Sequence, residues 1–467
     1  MRPWPAVLLA LGTWPVFAQA PLELSRSNFL RMVRENHPVA RQAALRTDMG
    51  DATMRSARGG FDPKADFDRT EKRFDDKNYF TLLQAGLKVP TWFGMDILAG
   101  YEDNEGQFLD PQGYTPEDGL IKAGVSVPLG QGLFIDKRRA TFRKAQAYQR
   151  ATEAERQTML NKLFLEAIKD HIDWVAAYQA LQVTEQAVDL AQLRFENVRG
   201  AWIGGDRPAI DTLEAFLQVQ DRIMRRQSAE LGLQNAALQL SNHLWDEFQR
   251  PLELLNNVIP SPQDQQLLVR VLPTDAVIQQ AVEVHPDLAK ASARLEQLEV
   301  ERRLRTEYIK PELDVKYQWL SDGGVLVQED RVEPLGEGYQ LGVGFSMPLF
   351  LRKERGELSL AKLRRTDAEL GLQRDRQVIT NNVQQRLNEI ATAQQQVQLG
   401  TEMVDNYTRL LAGETQLFNV GESSLFLVNG REVPLIESRI KQVALEAKLQ
   451  KSYFALDHAM GILWQQE

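Results

Sequence analysis

Two long stretches of this chain repeat their apolar residues every seven positions. Ala167, Trp174, Leu181, Val188, Phe195 and Trp202 form the first series. Val383, Ile390, Val397, Val404, Leu411 and Phe418 form the second, each member 216 residues after its partner. No proline interrupts either stretch, so Asp136 to Arg199 and Glu354 to Gln416 each read as one helix. At the α-helical rise such a helix is roughly 95 Å long. Helices of that length do not fit inside a compact domain, and a seven-residue seam points to lateral packing against other helices. Pro208 suits the start of a returning helix, and Pro434 falls inside the last one, where it is expected to kink it.

Shorter stretches alternate instead. Ile121, Ala123, Val125 and Val127 are separated by Lys122, Gly124 and Ser126. Leu313, Val315, Tyr317 and Trp319 alternate with charged or polar residues, and Tyr339, Leu341, Val343, Phe345 and Met347 alternate with Gln340, Gly342, Gly344 and Ser346. Met95, Ile97, Ala99 and Tyr101 do so less cleanly. As strands, these place one face in an apolar setting and the other against water. A half-buried soluble sheet shows the same pattern, as do the spans of a membrane barrel. Two acidic, turn-rich stretches, Glu102 to Gly119 and Ser321 to Gly338, read as exposed loops.

The two halves are copies of one plan. His37-Pro38 is followed 25 residues later by Pro63, and His285-Pro286 is followed by Pro311 at the same spacing. Both strand runs end in Pro-Leu, at Pro128 and Pro348, before the long helices. Both heptad series end in aromatic-x-x-Gly-acid, Trp202 to Asp206 and Phe418 to Glu422, and both halves close on Leu-Trp, at Trp245 and Trp464. The expected division is a signal peptide over 1–20, a first repeat over 21–245, a proline-containing linker over 246–273 and a second repeat over 274–467. The signal peptide rests on Arg2, the apolar run from Ala6 to Leu11 and the small-x-small site at Ala18-Gln19-Ala20.

Composition removes several function classes. The net charge of −9 supplies no basic excess for nucleic acid. The chain has no cysteine, which excludes disulfides, thiolate metal sites and a cysteine nucleophile. No run after the leader is apolar enough for a spanning helix. The five histidines, His37, His171, His243, His285 and His458, form no catalytic or metal-ligand pattern, so no enzyme activity and no cofactor are expected.

A leader followed by the order helix, strands, long helix, Gly tip and return helix, given twice, resembles the TolC-like outer-membrane efflux protein family over about Leu22 to Trp464. The resemblance implies a mainly α protein with membrane β-strands. Three copies close one outer-membrane β-barrel in lipid, and their helical hairpins form a periplasmic α-barrel. It implies a passive exit duct of a tripartite efflux or type I secretion system, reached through a periplasmic adaptor protein and driven by an inner-membrane pump. Four barrel strands per protomer are expected, as in that family, with residues 64–94 left as two further strands or a hairpin outside the barrel. Pro63, Pro128, Pro311 and Pro348 mark the crossings between barrel and helices. The tip and gate candidates are Trp202, Asp206, Arg207, Asp211, Phe418, Glu422, Leu425, Phe426 and Leu427. The family's acidic tip position falls on Asp211 in the first repeat but on Leu427 and Gly430 in the second. A double carboxylate ring is therefore absent, and Leu425 to Leu427 suggest an apolar constriction instead. Asp206 and Glu422 also suit helix N-terminal acids. The alternative is a soluble periplasmic coiled-coil adaptor or scaffold, which has no need of two alternating strand sets.

Overall fold

The computed structural model describes residues 22–255, 257–270, 274–323 and 338–465. The leader, and the second acidic loop over 324–337, lie outside these residues. The chain opens with a short strand β1 (Leu22–Leu24) and the helices α1 (Arg26–Asn36) and α2 (Pro38–Arg58). The second repeat opens with the matching pair α5 (Thr274–Val284) and α6 (Pro286–Glu307). The reason for the paired His-Pro is visible in both copies. His37 Nδ1 accepts the backbone N–H of Val39, and His285 Nδ1 accepts that of Asp287, each at 3.1 Å. Each histidine thus caps a helix whose first residue is proline, which has no N–H to satisfy.

Strands β2 (Lys64–Phe74), β3 (Lys77–Pro90), β4 (Asp96–Glu105) and β5 (Leu120–Pro128) follow α2. After α6 come β7 (Glu312–Asp322) and β8 (Gly338–Ser346), β6 (Val258–Pro260) being a three-residue strand between the repeats that pairs with β1. All but β1 and β6 form one antiparallel sheet in the order β2-β3-β4-β5-β7-β8. The sheet therefore has six strands rather than the expected four, and residues 64–90 supply the difference. Asp75 and Asp76, at φ 55° and 57°, make the two-residue turn that joins β2 to β3. Gly94, at φ 91°, lets the chain reverse between β3 and β4, with Thr91 N–H donating to the Met95 carbonyl at 2.9 Å.

The long elements are α3 (Lys137–Ile203, 67 residues) and α7 (Arg352–Asn419, 68 residues). Each is roughly 100 Å long at the α-helical rise. Helices α4 (Ala209–Ser241) and α8 (Leu425–Ala459) return along them, α4 with Pro208 at its N-cap and α8 running through Pro434. The core lies where these helices meet α1, α2 and α5: Phe164, Ala167, Ile168 and Trp174 on α3 pack with Phe29, Leu240 and Phe454. Val383, Ile390 and Val397 on α7 pack with Leu449, Tyr453 and Leu456. Heptad positions nearer the tips, Trp202 among them, are more exposed.

The two passages from sheet to helix differ, as the glycines after Pro128 imply. Past Pro128 the chain keeps pairing with β7, Leu129 N–H donating to the Leu313 carbonyl at 2.7 Å and Gln131 N–H to that of Pro311 at 2.8 Å. A Cβ on Gly130 would stand 2.1 Å from the Pro311 carbonyl oxygen, so only glycine fits there. Asp136 then caps α3 by accepting the Arg139 N–H at 2.8 Å. In the second repeat, Pro348 is followed by Leu351 in the left-handed region, at φ 50°, directly before α7 and without a side-chain cap.

Candidate functional site: the helical tips and the six-stranded sheet

The two hairpin tips are built alike to the hydrogen bond. In the first, Gly205 N–H donates to the Trp202 carbonyl at 3.0 Å and Asp206 N–H to that of Ala201 at 2.9 Å. In the second, Gly421 N–H donates to the Phe418 carbonyl at 3.2 Å and Glu422 N–H to that of Leu417 at 2.9 Å. This is the Schellman ending, which needs a residue at positive φ, and Gly205 and Gly421 stand at 84° and 82°. Asp206 and Glu422 thus occupy the residue after the left-handed glycine, just ahead of the next helix, where an acid suits the helix dipole. The cap of α8 is Ser424, whose Oγ accepts the Leu427 N–H at 3.4 Å.

The structure brings three of the candidates together. Arg207 lies 4.2 Å from the centre of the Phe418 ring and 3.6 Å from the Asp211 carboxylate. The turn of the first hairpin is thereby tied to the end of α7. Trp202, Phe426 and Leu427 are exposed, as are their neighbours Ile203, Ile210 and Val420, so the tips end in an apolar surface. Leu425 does not belong to it. At 2% exposure it packs with Val198 and Ala215, flanked by Phe195 and Phe418, and joins α3, α4 and α8. A constriction that includes Leu425 is therefore corrected: the Ser424 cap fixes the helix phase so that Leu425 turns inward while Phe426 points out.

A partly buried polar cluster, not expected from the sequence, lies roughly one to four turns above the tips. Arg194 on α3 forms a salt bridge with Glu432 on α8 and donates to Asn429 Oδ1 at 3.2 Å. Asn429 Nδ2 donates to Glu214 on α4 at 3.2 Å. Arg222, 2% exposed, donates to Asp221 at 2.8 Å, and Arg225 joins Asp221 to Glu437 of α8. Burial lowers the Arg222 pKa, opposed by Glu432 and Asp221. The signal was present: Asn429 and Glu432 interrupt the buried stripe Leu425, Val428, Leu435, Ile436, and Arg222 follows Ala215 and Val219 on one face of α4. Polar groups on such a stripe must find partners across the helix interface.

At the opposite end the sheet has two distinct faces. One hydrogen-bonded row runs Val89, Ile97, Val125, Tyr317, Leu341 and the next Leu87, Ala99, Ala123, Trp319, Tyr339. The opposite face carries Lys88, Gly100, Lys122, Gly124, Lys316, Gln318 and Gly342. Lys122 pairs with Glu102 at 2.6 Å and Lys88 with Asp96 at 2.7 Å on that polar side. Leu341, Val343 and Phe345 are 56–69% exposed, so no layer among the described residues covers the apolar face. The four crossing prolines stand at the sheet's helical end: Pro63 and Pro311 directly before β2 and β7, Pro128 closing β5 and Pro348 just after β8. Among the described residues no helix is long and apolar enough to cross a membrane, and no group of three histidine or carboxylate side chains could hold a metal ion.

One face of the sheet is apolar, and the sheet stands at the end of the paired helical hairpins. Residues 277–462 match the Outer membrane efflux protein family. The fold is similar to the CmeC outer membrane channel of Campylobacter jejuni, with 14% identity, a TM-score of 0.62, and 93% of this chain and 85% of that one covered. It is similar to the outer membrane protein VceC of Vibrio cholerae, with 14% identity, a TM-score of 0.60, and coverage of 93% and 95%. It is also similar to the open state of the MtrE outer membrane channel of Neisseria gonorrhoeae, with 14% identity, a TM-score of 0.65, and coverage of 94% and 89%. No curated protein matches the chain in sequence. A soluble adaptor or scaffold is not what this family and fold describe.

Proposed function

We propose that three copies of this chain form the outer-membrane exit duct of a tripartite efflux or type I secretion system. The barrel end is held in outer-membrane lipid, and the helical hairpins extend into the periplasm. There the tips meet a periplasmic adaptor protein, and an inner-membrane pump supplies the energy. The observation that carries this reading is the uncovered apolar face of a sheet whose other face is charged, at one end of hairpins roughly 100 Å long. One copy cannot close a water-filled barrel, and an open edge in lipid leaves backbone groups unpaired. Cyclic symmetry closes the sheet and the helix ring together. Conduction is passive, gated where Arg207, Asp211 and the exposed Phe426 and Leu427 gather at the tips. The test is membrane fractionation followed by reconstitution. The protein is expected in the outer-membrane fraction as a detergent-extracted trimer that forms discrete channels in planar bilayers. Recovery as a soluble periplasmic species without detergent overturns the reading.

A further inference from the structure

The six-stranded sheet ends on two edges, β2 and β8, that pair with no other strand among the described residues. Their directions are opposed. β2 leaves the helical end of the sheet after α2, while β8 returns to it before α7. The β2 edge of one copy can therefore meet the β8 edge of another in the antiparallel sense used by every other pair in this sheet. The faces match over the half nearest the helices: Ala65 and Phe67 share the face of Leu87 and Ala85, and Leu341, Val343 and Phe345 share that of Tyr317, Val315 and Leu313, while above Phe67 the same face of β2 carries Arg69, Glu71 and Arg73.

The register follows from the stagger within one copy. The hydrogen-bonded row through Ala65 passes Leu87, Ala99, Ala123 and Trp319 and reaches Tyr339. It crosses β2 one residue from the strand's helical end and β8 seven residues from that end. A three-fold axis along the barrel keeps every copy's Ala65 at one height. Shifting the contact six residues down β8, from Tyr339 to Phe345, levels the strand ends. An offset of six over six strands makes the shear equal to the strand number, the ratio that gives a strand tilt of about 36°. That lies within the roughly 35–45° of membrane barrels. An odd offset would put apolar side chains in the lumen. An offset of four tilts the strands too little, and one of eight reaches Met347, past the end of β8.

Resting on the trimeric outer-membrane reading, we infer that β2 of each copy pairs with β8 of the next, Phe67 opposite Val343, to close a barrel of eighteen strands. All nine residues of β8 then find partners in β2, Ser346 facing Lys64 and Gly338 facing Lys72. Asp66 and Asp68 fall opposite Gly344 and Gly342 on the lumen side, where the missing side chains leave room for carboxylates in water; nothing lies within 4 Å of a Cβ on Gly344. Barrel diameter grows about linearly with strand number, and barrels of 16–18 strands hold an aqueous channel. This duct is thus about half as wide again at the outer membrane as one with four strands per copy. The β2–β3 hairpin supplies the added width.

Because the chain has no cysteine, paired cysteines report this contact cleanly. Three double variants are oxidised in isolated outer membranes: Phe67→Cys with Val343→Cys, and the slipped pairs Phe67→Cys with Leu341→Cys or with Phe345→Cys. Directly opposed residues lie within disulfide reach. The inferred register predicts that the first pair converts most of the monomer band into covalent dimers and trimers that reductant dissolves, with the slipped pairs far behind. Ala65→Cys with Phe345→Cys tests the same register should the first pair fold poorly. A dominant slipped pair overturns the shear. A trimer that cross-links in none of these variants overturns the eighteen-strand closure while leaving the duct intact. Absence of a trimer from the outer membrane removes the duct itself.

Discussion

The guanidinium of Arg207 sits 4.2 Å from the centre of the Phe418 ring. The contact ties the turn between α3 and α4 to the end of α7, so the two hairpins of one copy are joined at their tips. A partly exposed cation–π contact contributes about 0.5–1 kcal/mol. If the tips are the closure, Arg207→Ala is expected to shift the closed-to-open balance about two- to fivefold, with Asp211→Asn acting in the same direction through the 3.6 Å ion pair. Planar-bilayer recordings should show larger or more frequent openings for both and an intermediate effect for Arg207→Lys. Recordings indistinguishable from the parent protein would move the closure away from Arg207.

The cluster around Glu432 holds the hairpins together above the tips. Arg194→Leu leaves a carboxylate that is almost wholly buried without its nearest cation, and losing one partner of such a pair costs about 3 kcal/mol. The double variant Arg194→Leu with Glu432→Leu is expected to recover much of that loss, because neither charge then remains buried. Thermal unfolding of the detergent-extracted protein measures the coupling. A double variant as unstable as the sum of the two singles would show that Arg194 and Glu432 act independently.

Legibility in the sequence followed periodicity. The long helices and both tips could be read because heptads and a glycine after an aromatic residue are regular signals, and their duplication doubles each one. The β2–β3 hairpin could be read only as one of two alternatives. Above Phe67, β2 carries Arg69, Glu71 and Arg73 on one face and Asp68, Thr70 and Lys72 on the other, so apolar alternation stops halfway up. Only the pairing with β3 reveals it as a strand. Leu425 was misplaced for a related reason: within Leu425-Phe426-Leu427 the sequence carries no phase, and the cap at Ser424 supplies it. The buried cluster depends on helix pairs far apart in the chain, Arg194 with Glu432 and Glu214 with Asn429, which no single stripe specifies.

Gly205 and Gly421 stand at positive φ with nothing within 4 Å of a Cβ. Alanine at either position meets no clash and bears only the left-handed backbone cost, about 1–2 kcal/mol. Gly205→Ala and Gly421→Ala are therefore expected to fray their tips to the same extent. The amide protons of Asp206 and Glu422, which close the two turns, should exchange about 5- to 30-fold faster in the respective variants. Unequal effects would show that one tip is held by contacts beyond its own turn.

Two buried histidines give the helical core a pH dependence of definite sign. His37 Nδ1 must stay unprotonated to accept the Val39 N–H, and burial, aided by nearby His243, lowers its pKa to about 4. His171 is fully buried, its ring 5.5 Å from that of Phe29 and 5.7 Å from that of Trp174, and burial lowers its pKa to about 4 as well, with Asp264 opposing and Arg26 assisting. An unfolded histidine titrates near 6.5. Between these values the unfolded chain binds more protons than the folded one, so stability is complete above pH 6.5 and falls as the pH drops toward 4. His171→Leu has about the same volume and removes one of the protons taken up, His285 and His458 being lowered by burial as well. The variant should keep its stability at pH 7.5 and show a shallower slope of melting temperature against pH between 6 and 4.5. An unchanged slope would mean that His171 takes up no proton on unfolding and that the acid lability arises elsewhere.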